Sequence, residues 1–392
     1  MPWKESRAMD VRAKLIEDYQ EGETITALGE IYGVSRKTIY KWLGRYEEAG
    51  VAGLAERSRA PHRRPQQLTG EIAARIVAAR QRWKWGPRKL LAKLHQAHPE
   101  VAWPAASTVS ELLRERGLTH PQRRRLRTPP YPQPLAEATA PNQTWCADFK
   151  GWFRTRDGTR CDPLTISDKG TRYLLRCQIT PKTDTTHVEA IFDAAFHEFG
   201  LPGRIHTDNG APFASRAPGG LSRLSMRWVK LGITPERSRP AHPQDNGRHE
   251  RLHLTLKQEV LRDVAAHPRA QQQVFREFQQ IYNCERPHEA LGYQTPASCY
   301  VLSPRPMPRR VPELEYADGT KLRRVSRSGE LHWKGQAVFV SEVFDGEILG
   351  LREVDGRYLQ VWFGPVALGW LDTHRRQFQR HPPRHRAPDP SG

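Results

Sequence analysis

The sequence predicts a multidomain chain: all-α N-terminal domains built on a helix-turn-helix, an α/β core, and a small C-terminal β-barrel. Three observations lead there. At about 150 residues per domain, 392 residues suit two to four domains. At Gln143 the pattern changes from helical periodicity to short β-rich runs, which then alternate with helices. Beyond residue 318 the turns SRSG, FDGE and VDGR recur at hairpin spacing. The predicted boundaries are 1–60 (helix-turn-helix), 61–120 (second helical domain, helix-turn-helix-like), 121–141 (basic, proline-rich linker) and 142–303 (core). A proline-rich seam at 304–317, the barrel at 318–375 and a disordered basic tail at 376–392 complete the chain.

Charge narrows the classes of function. Lys and Arg number 62 against 43 Asp and Glu, a formal net charge of +19 that favours a polyanionic partner. An acidic membrane could use the same excess, but no run approaches the roughly 18 apolar residues of a spanning helix. The start MPWKESRAMDVRAKLIEDYQ lacks the apolar core of a secretory signal. Cys146, Cys161, Cys177, Cys284 and Cys299 are odd in number and form no C-x-x-C pair, which argues against a disulfide framework or zinc ribbon and for a reduced cytoplasmic setting. With 11 Trp, 11 Tyr and 12 Phe the chain can build real cores, so disorder throughout is excluded.

In the first block, MDVRAKLIEDYQ places Leu15, Ile16 and Tyr19 on one helical stripe. LGEIYGVSRKTIYKWL then reads as a helix-turn-helix. Leu28 and Ile31 pack the first helix, Gly33 permits the turn, Val34 enters the core, and Ser35 caps a second helix whose inner face is Ile39, Trp42 and Leu43. Arg36, Lys37, Thr38, Tyr40 and Lys41 are left near the start of that helix, where a major-groove reader presents its contacts. The bland alternative is a charged two-helix corner. In the second block STVSELLRERG has Ser107 or Thr108 available as a cap; a packing and dimerisation role weighs nearly as much there as DNA reading.

Three acids stand out in the α/β region. Asp148 lies within the strand-like TWCADFKGWF, where a carboxylate is expensive unless paired or metal-bound. Asp208 follows the strand RIHT and precedes an Asn-Gly turn. Glu250 opens a helix whose Leu252, Leu256 and Val260 form one stripe and whose Glu250, Leu254 and Lys257 form another. Three carboxylates from two strand tips and a helix suit Mg²⁺, which keeps open positions for water and substrate oxygens, and a pair of such ions can drive phosphodiester chemistry. His206, His242 and His249 have no H-x-x-x-H or H-E-x-x-H spacing among themselves, which disfavours zinc. Singly, each acid also reads as an ordinary strand-end, turn or solvated-helix residue.

Taken together, WCADFKG, HTDNGAPF and SRPAHPQDNGRHERLHLTLKQE resemble the signature regions of the retroviral-integrase-like DDE transposases, above all bacterial insertion-sequence transposases with an N-terminal helix-turn-helix. YNCERPHEALGYQTPASCY is similar to the segment that closes their core. The resemblance implies an RNase H-like catalytic core in which Asp148, Asp208 and Glu250 hold two Mg²⁺ (or Mn²⁺) ions per active site. It further implies that Lys257 contacts the DNA end and that Asn209 and Gly210 form the turn after the second acid. Asp208 and Glu250 are separated by more residues than in integrases, and APGGLSRLS (217–225) reads as a surface insertion. The retroviral His/His/Cys/Cys module is absent, the helix-turn-helix standing in its place, and the C-terminal block looks like the barrel that follows some integrase cores.

The resulting expectation is a transposase that binds terminal inverted repeats, frees a 3′ end by metal-dependent cleavage and transfers it into target double-stranded DNA as a homo-oligomer. Two rivals remain: a catalytically inert DNA-binding regulator derived from a transposase, and an RNase H-type nuclease, which leaves the N-terminal reader unexplained.

Overall fold

The protein is described from a computed structural model that covers residues 8–56, 68–119, 137–239 and 247–381. The basic cluster of the predicted linker, His242 and residues 382–392 of the predicted tail lie outside the described residues. Two compact units divide at Thr69.

The first unit contains α1 (Ala8–Gln20), α2 (Ile25–Tyr32), α3 (Arg36–Ala49) and a 3-10 turn, Gly50–Leu54. Thr24 caps α2 by accepting the Ala27 N–H at 3.2 Å, and Ser35 caps α3 by accepting the Thr38 N–H at 3.3 Å. Between them Gly33 adopts φ 62°, a left-handed turn that a side chain would strain. Leu15, Ile16, Leu28, Ile39, Trp42, Leu43 and Leu54 form the core, with Val34 packed against it. Ile31 is not part of it and is 61% exposed. Tyr32 turns inward instead, its hydroxyl donating to Asp18 at 2.5 Å, which rotates its neighbour out. Tyr19, in the last turn of α1, is exposed as well.

In the second unit α4 (Gly70–Trp83), α5 (Pro87–Ala97) and α6 (Ala106–Glu115) pack through Ile76, Leu90, Val109 and Leu113. Neither Ser107 nor Thr108 is the cap of α6. The helix starts one residue before Ser107, from Ala105, and has no side-chain cap. Trp83 donates its indole N–H to Glu285 at 3.1 Å, which ties this block to the core.

The core comprises β1 (Thr144–Phe149), β2 (Phe153–Arg154), β3 (Arg160–Asp168), β4 (Leu174–Thr180), α7 (Thr185–Phe199), β5 (Arg204–Thr207), α8 (Arg223–Lys230), β6 (Thr234–Arg237), α9 (Gly247–Glu259), α10 (Pro268–Cys284) and α11 (Pro296–Cys299). Its sheet is mixed. β1, β3 and β4 run antiparallel, β1, β5 and β6 parallel, and β2 extends the start of β3. Strand alternation sends Trp145, Ala147, Leu164, Ile166 and Leu175 to one face, where α7 and α8 supply Val188, Phe192, Phe196 and Trp228. On the other face Leu174 and Cys177 meet Leu252, Leu256 and Val260 of α9 and Phe275 and Phe278 of α10. Residues 217–225 are not a surface insertion: Leu221, Leu224 and Ser225 are buried, and Ser222 caps α8. Their apolar positions fall on the inner side of that helix, so the segment is core.

Arg305 straps the proline-rich segment down by donating to the carbonyls of Pro202, Leu231 and Gly232 at 2.9, 2.8 and 3.0 Å. Beyond it β7 (Lys321–Arg324), β10 (Ile348–Glu353), β11 (Tyr358–Phe363), β12 (Val366–Asp372) and β13 (Gln377–Gln379) form an antiparallel sheet, with β8 (Glu330–Trp333) and β9 (Gln336–Phe339) as a separate ribbon. The expected barrel is therefore not closed by strand pairing among the described residues. A single Val325–Leu331 bridge connects sheet to ribbon. The predicted tail also begins too early, because Gln377–Gln379 pairs with β12. Leu221, Met226 and Val229 share this block's core with Phe344, Phe363 and Leu368.

Candidate active site

Asp148 sits near the C-terminal end of β1. The parallel register pairs Thr144 with Arg204 and Cys146 with His206. Continued by two residues, it brings Asp208, just past β5, level with Asp148. Alternation gives both the same face as Thr165, which lies opposite Asp148 on β3. That face is covered by α9, on which Glu250, His253 and Lys257 follow one another at helical spacing along one side. The ring Nδ1 of His253 is 4.0 Å from Asp148 Oδ2. Glu250, exposed, lies one turn before it.

Each acid is held differently. The Asp148 side chain is 19% exposed and its backbone lies within the β1–β3 ladder. Asp208 Oδ1 accepts the Gly210 N–H at 3.0 Å, and a Cβ on Gly210 would stand 3.1 Å from the same carboxylate, so a larger residue there would crowd the acid. Asn209 donates to the Ser238 carbonyl at 2.7 Å, tying the turn to the residue after β6. Asp148 lies near the end of β1, Asp208 just past β5, and Glu250 on α9. Among the described residues, however, no group of three His, Cys, Asp or Glu side chains is gathered closely enough to hold a metal.

The sequence reading missed His253. With His249 and Glu250 it completes the spacing H-E-x-x-H that the other histidines lack, so the signal stood in HERLH. Both rings are buried and turn into the sheet. His249 Nε2 is 2.6 Å and His253 Nε2 2.8 Å from the single hydroxyl of Thr165, which donates to the Asp148 carbonyl at 3.1 Å. Ser167 Oγ lies 3.3 Å from His249 Nδ1. Burial pushes the His253 ring down to about 3, with Lys150 adding repulsion. Burial also holds His249 well below the usual range, reinforced by His253 and His206. These imidazoles are neutral packing groups with their nitrogens engaged. His206 shares a hydrogen bond with Ser238 at 3.2 Å.

Lys150 also went unread. Burial lowers its ammonium from the ordinary value, Lys257 pushes the same way and Asp148 opposes, which places the exposed Lys257 near the acids. Asp168 is a buried carboxylate with a structural task, accepting the N–H groups of Asn142 and Thr171 at 2.8 and 2.7 Å. In the first unit Arg36, Lys37, Tyr40 and Lys41 are exposed along α3. Thr38 is half-buried, its hydroxyl 3.0 Å from Ser35 Oγ.

Family comparisons match both the helical region and the core. Residues 11–62 match the family described as a helix-turn-helix domain and residues 38–113 a homeodomain-like domain. Residues 138–243 and 231–296 match two integrase core domain families. The transposase for insertion sequence element IS904 of Lactococcus lactis subsp. lactis (strain IL1403) is 30% identical over 166 residues, 41% of this chain and 62% of that protein. This chain thus spans less than two thirds of that relative's length. The insertion element IS407 uncharacterized 31.7 kDa protein of Burkholderia multivorans (strain ATCC 17616 / 249) is 28% identical over 240 residues, covering 60% and 82% of the two chains. Among solved structures, the HTLV-2 integrase catalytic core domain in complex with magnesium aligns at a TM-score of 0.34 and 14% identity, over 42% of this chain and 100% of that one. These matches give the chain helix-turn-helix and integrase core domains and make it similar to insertion-sequence transposases of the retroviral-integrase-like class.

Proposed function

We propose that the chain is a DNA transposase whose α3 reads the terminal inverted repeats of a mobile element and whose core cleaves the element's 3′ ends and joins them to target DNA. The observation that supports this reading is the parallel β1–β5 register, which runs the strand bearing Asp148 alongside the strand that ends just before Asp208. The donor set fits a hard divalent cation: three carboxylates, partly solvated, beside imidazoles engaged elsewhere. Asp148, Asp208 and Glu250 would hold two Mg²⁺ or Mn²⁺ ions. Such ions, when bound, supply Lewis-acid activation for phosphoryl transfer.

The chain's own residues do the rest. Asp148 is fixed by its ladder and Asp208 by its glycine turn, so Glu250, exposed on a helix, is the acid whose side chain is free to adjust. Lys257 neutralises a phosphate of the DNA end. Water is the first nucleophile; the freed 3′-hydroxyl then attacks the target phosphodiester. Two ends must meet, so a dimer or larger assembly forms on DNA. Among the described residues no helix is long and apolar enough to cross a membrane, which fits a cytoplasmic enzyme.

The test is incubation of labelled end DNA with protein and Mg²⁺. Asp148→Ala, Asp208→Ala and Glu250→Ala are each expected to abolish cleavage while leaving end binding intact. Cleavage that survives all three substitutions refutes the assignment. The spread of the three acids favours one rival, the inert regulator. End binding without cleavage by the parent in Mg²⁺ or Mn²⁺ would establish it.

A further inference from the structure

We propose that the cleft between α5 and α9 binds the phosphate backbone of duplex DNA and leads it alongside Glu250. The proposal rests on the transposase reading for its ligand but on a separate set of residues for its site. The cleft encloses about 570 Å³. Lys89 enters it from α5, Arg172 from the turn between β3 and β4, Arg248 and Arg251 from α9, and Arg286 from the end of α10.

These cations stand close enough to strain one another. Burial pushes the Lys89 ammonium down to about 8, and Arg286 and Arg251 add repulsion against the pull of Glu259. Burial and then Arg248 lower the Arg172 guanidinium from its ordinary value. His288, on the same wall, is pushed to about 3 by burial and then by Lys89, Arg286 and Arg172. Nearby carboxylates are engaged, Glu259 with Arg286 and Glu289 with Arg88 at 3.5 Å. Among the described residues no ion pair within 4.0 Å joins Lys89, Arg172, Arg248 or Arg251 to a carboxylate. Like charges held together in a partly desolvated cleft are unfavourable until an anion enters.

The shape selects a chain of phosphates over a single anion. Arg248, Arg251, Thr255 and Gln258 line the cleft along one side of α9, a run of about 15 Å at 1.5 Å per residue. Guanidinium forks at that spacing suit successive phosphate oxygens. Glu250 and Lys257 project about a third of a turn away on the same helix. A strand lying in the cleft therefore passes beside the proposed catalytic face.

The test measures the salt dependence of binding to a random-sequence duplex by the full chain. The Lys89→Gln, Arg248→Gln, Arg251→Gln triple variant is expected to lower the slope of log K against log salt by about 2 to 3, at roughly 0.9 per lost phosphate contact. The charge-conserving Lys89→Arg, Arg248→Lys, Arg251→Lys variant should keep the parent's slope, which separates lost charge from lost folding. Inorganic phosphate at matched ionic strength should fail to compete. An unchanged slope in the glutamine variant, equal loss in the charge-conserving variant, or effective competition by free phosphate would overturn the proposal. End cleavage by the parent is scored separately: binding through the cleft without cleavage leaves this site standing and removes the transposase reading.

Discussion

Thr165 offers the sharpest test of how the site is built. Its hydroxyl is met by His249 Nε2 at 2.6 Å and His253 Nε2 at 2.8 Å, and it faces the Asp148 carbonyl at 3.1 Å. A hydroxyl has one proton and two acceptor positions. With the proton given to the carbonyl, both imidazoles must donate their Nε2–H, which agrees with burial keeping both neutral. Thr165→Val keeps the shape and removes every one of these bonds. Each buried donor left alone costs about 1–3 kcal/mol, so two imidazoles cost about 2–6 kcal/mol. That is a large part of a domain's total of about 5–15 kcal/mol. Thr165→Ser keeps the hydroxyl and loses one methyl, worth about 0.8 kcal/mol. Urea unfolding followed by tryptophan fluorescence reads both variants, since Trp145 and Trp228 are buried in the core. A valine variant no less stable than the serine variant would show that the hydroxyl is not the hub.

Two further outcomes are expected. His288 is held at about 3 by burial and then by Lys89, Arg286 and Arg172, against about 6.5 when unfolded. Because the folded value is the lower one, stability is full above pH 6.5 and falls toward pH 3, by at most about 1.4 kcal/mol per pH unit from this group. His288→Gln should flatten that fall in urea midpoints measured across the window, and an unchanged profile contradicts the assignment. In the N-terminal unit, Ser35→Ala removes the cap of α3 and should cost about 1 kcal/mol. Thermal melts of this variant that match the parent would count against the cap.

Much of the architecture can be read along the chain. The helix-turn-helix was legible because its signals are local: Leu28, Gly33, Ser35 and Ile39 each do what their neighbours require. The strands β1, β3, β4 and β5 show as β-rich runs, and α9 as a stripe of Leu252, Leu256 and Val260. Two core elements leave weaker traces. β6 includes Pro235, which withholds a ladder donor and hides an edge strand. α10 puts Gln271 and Asn283 in its buried face, where Gln271 accepts the Ala265 N–H and Asn283 bonds the Leu174 backbone, so its apolar stripe is broken by polar residues.

By itself the sequence determined the residue types and their local settings: a basic excess, a capped reading helix, and three carboxylates placed at two strand ends and a helix start. Only the tertiary structure decided which of them meet. The strand bearing Asp148 and the strand that ends just before Asp208 run side by side through a parallel register, a pairing that no local pattern encodes. The same folding turned His249 and His253 inward onto Thr165, made residues 217–225 core, and drew Lys89 toward Arg251. The physical reason is common to all four: side-chain direction and charge proximity are set by pairing and packing between distant segments, whereas sequence spacing fixes only what lies within a helical turn or a single strand.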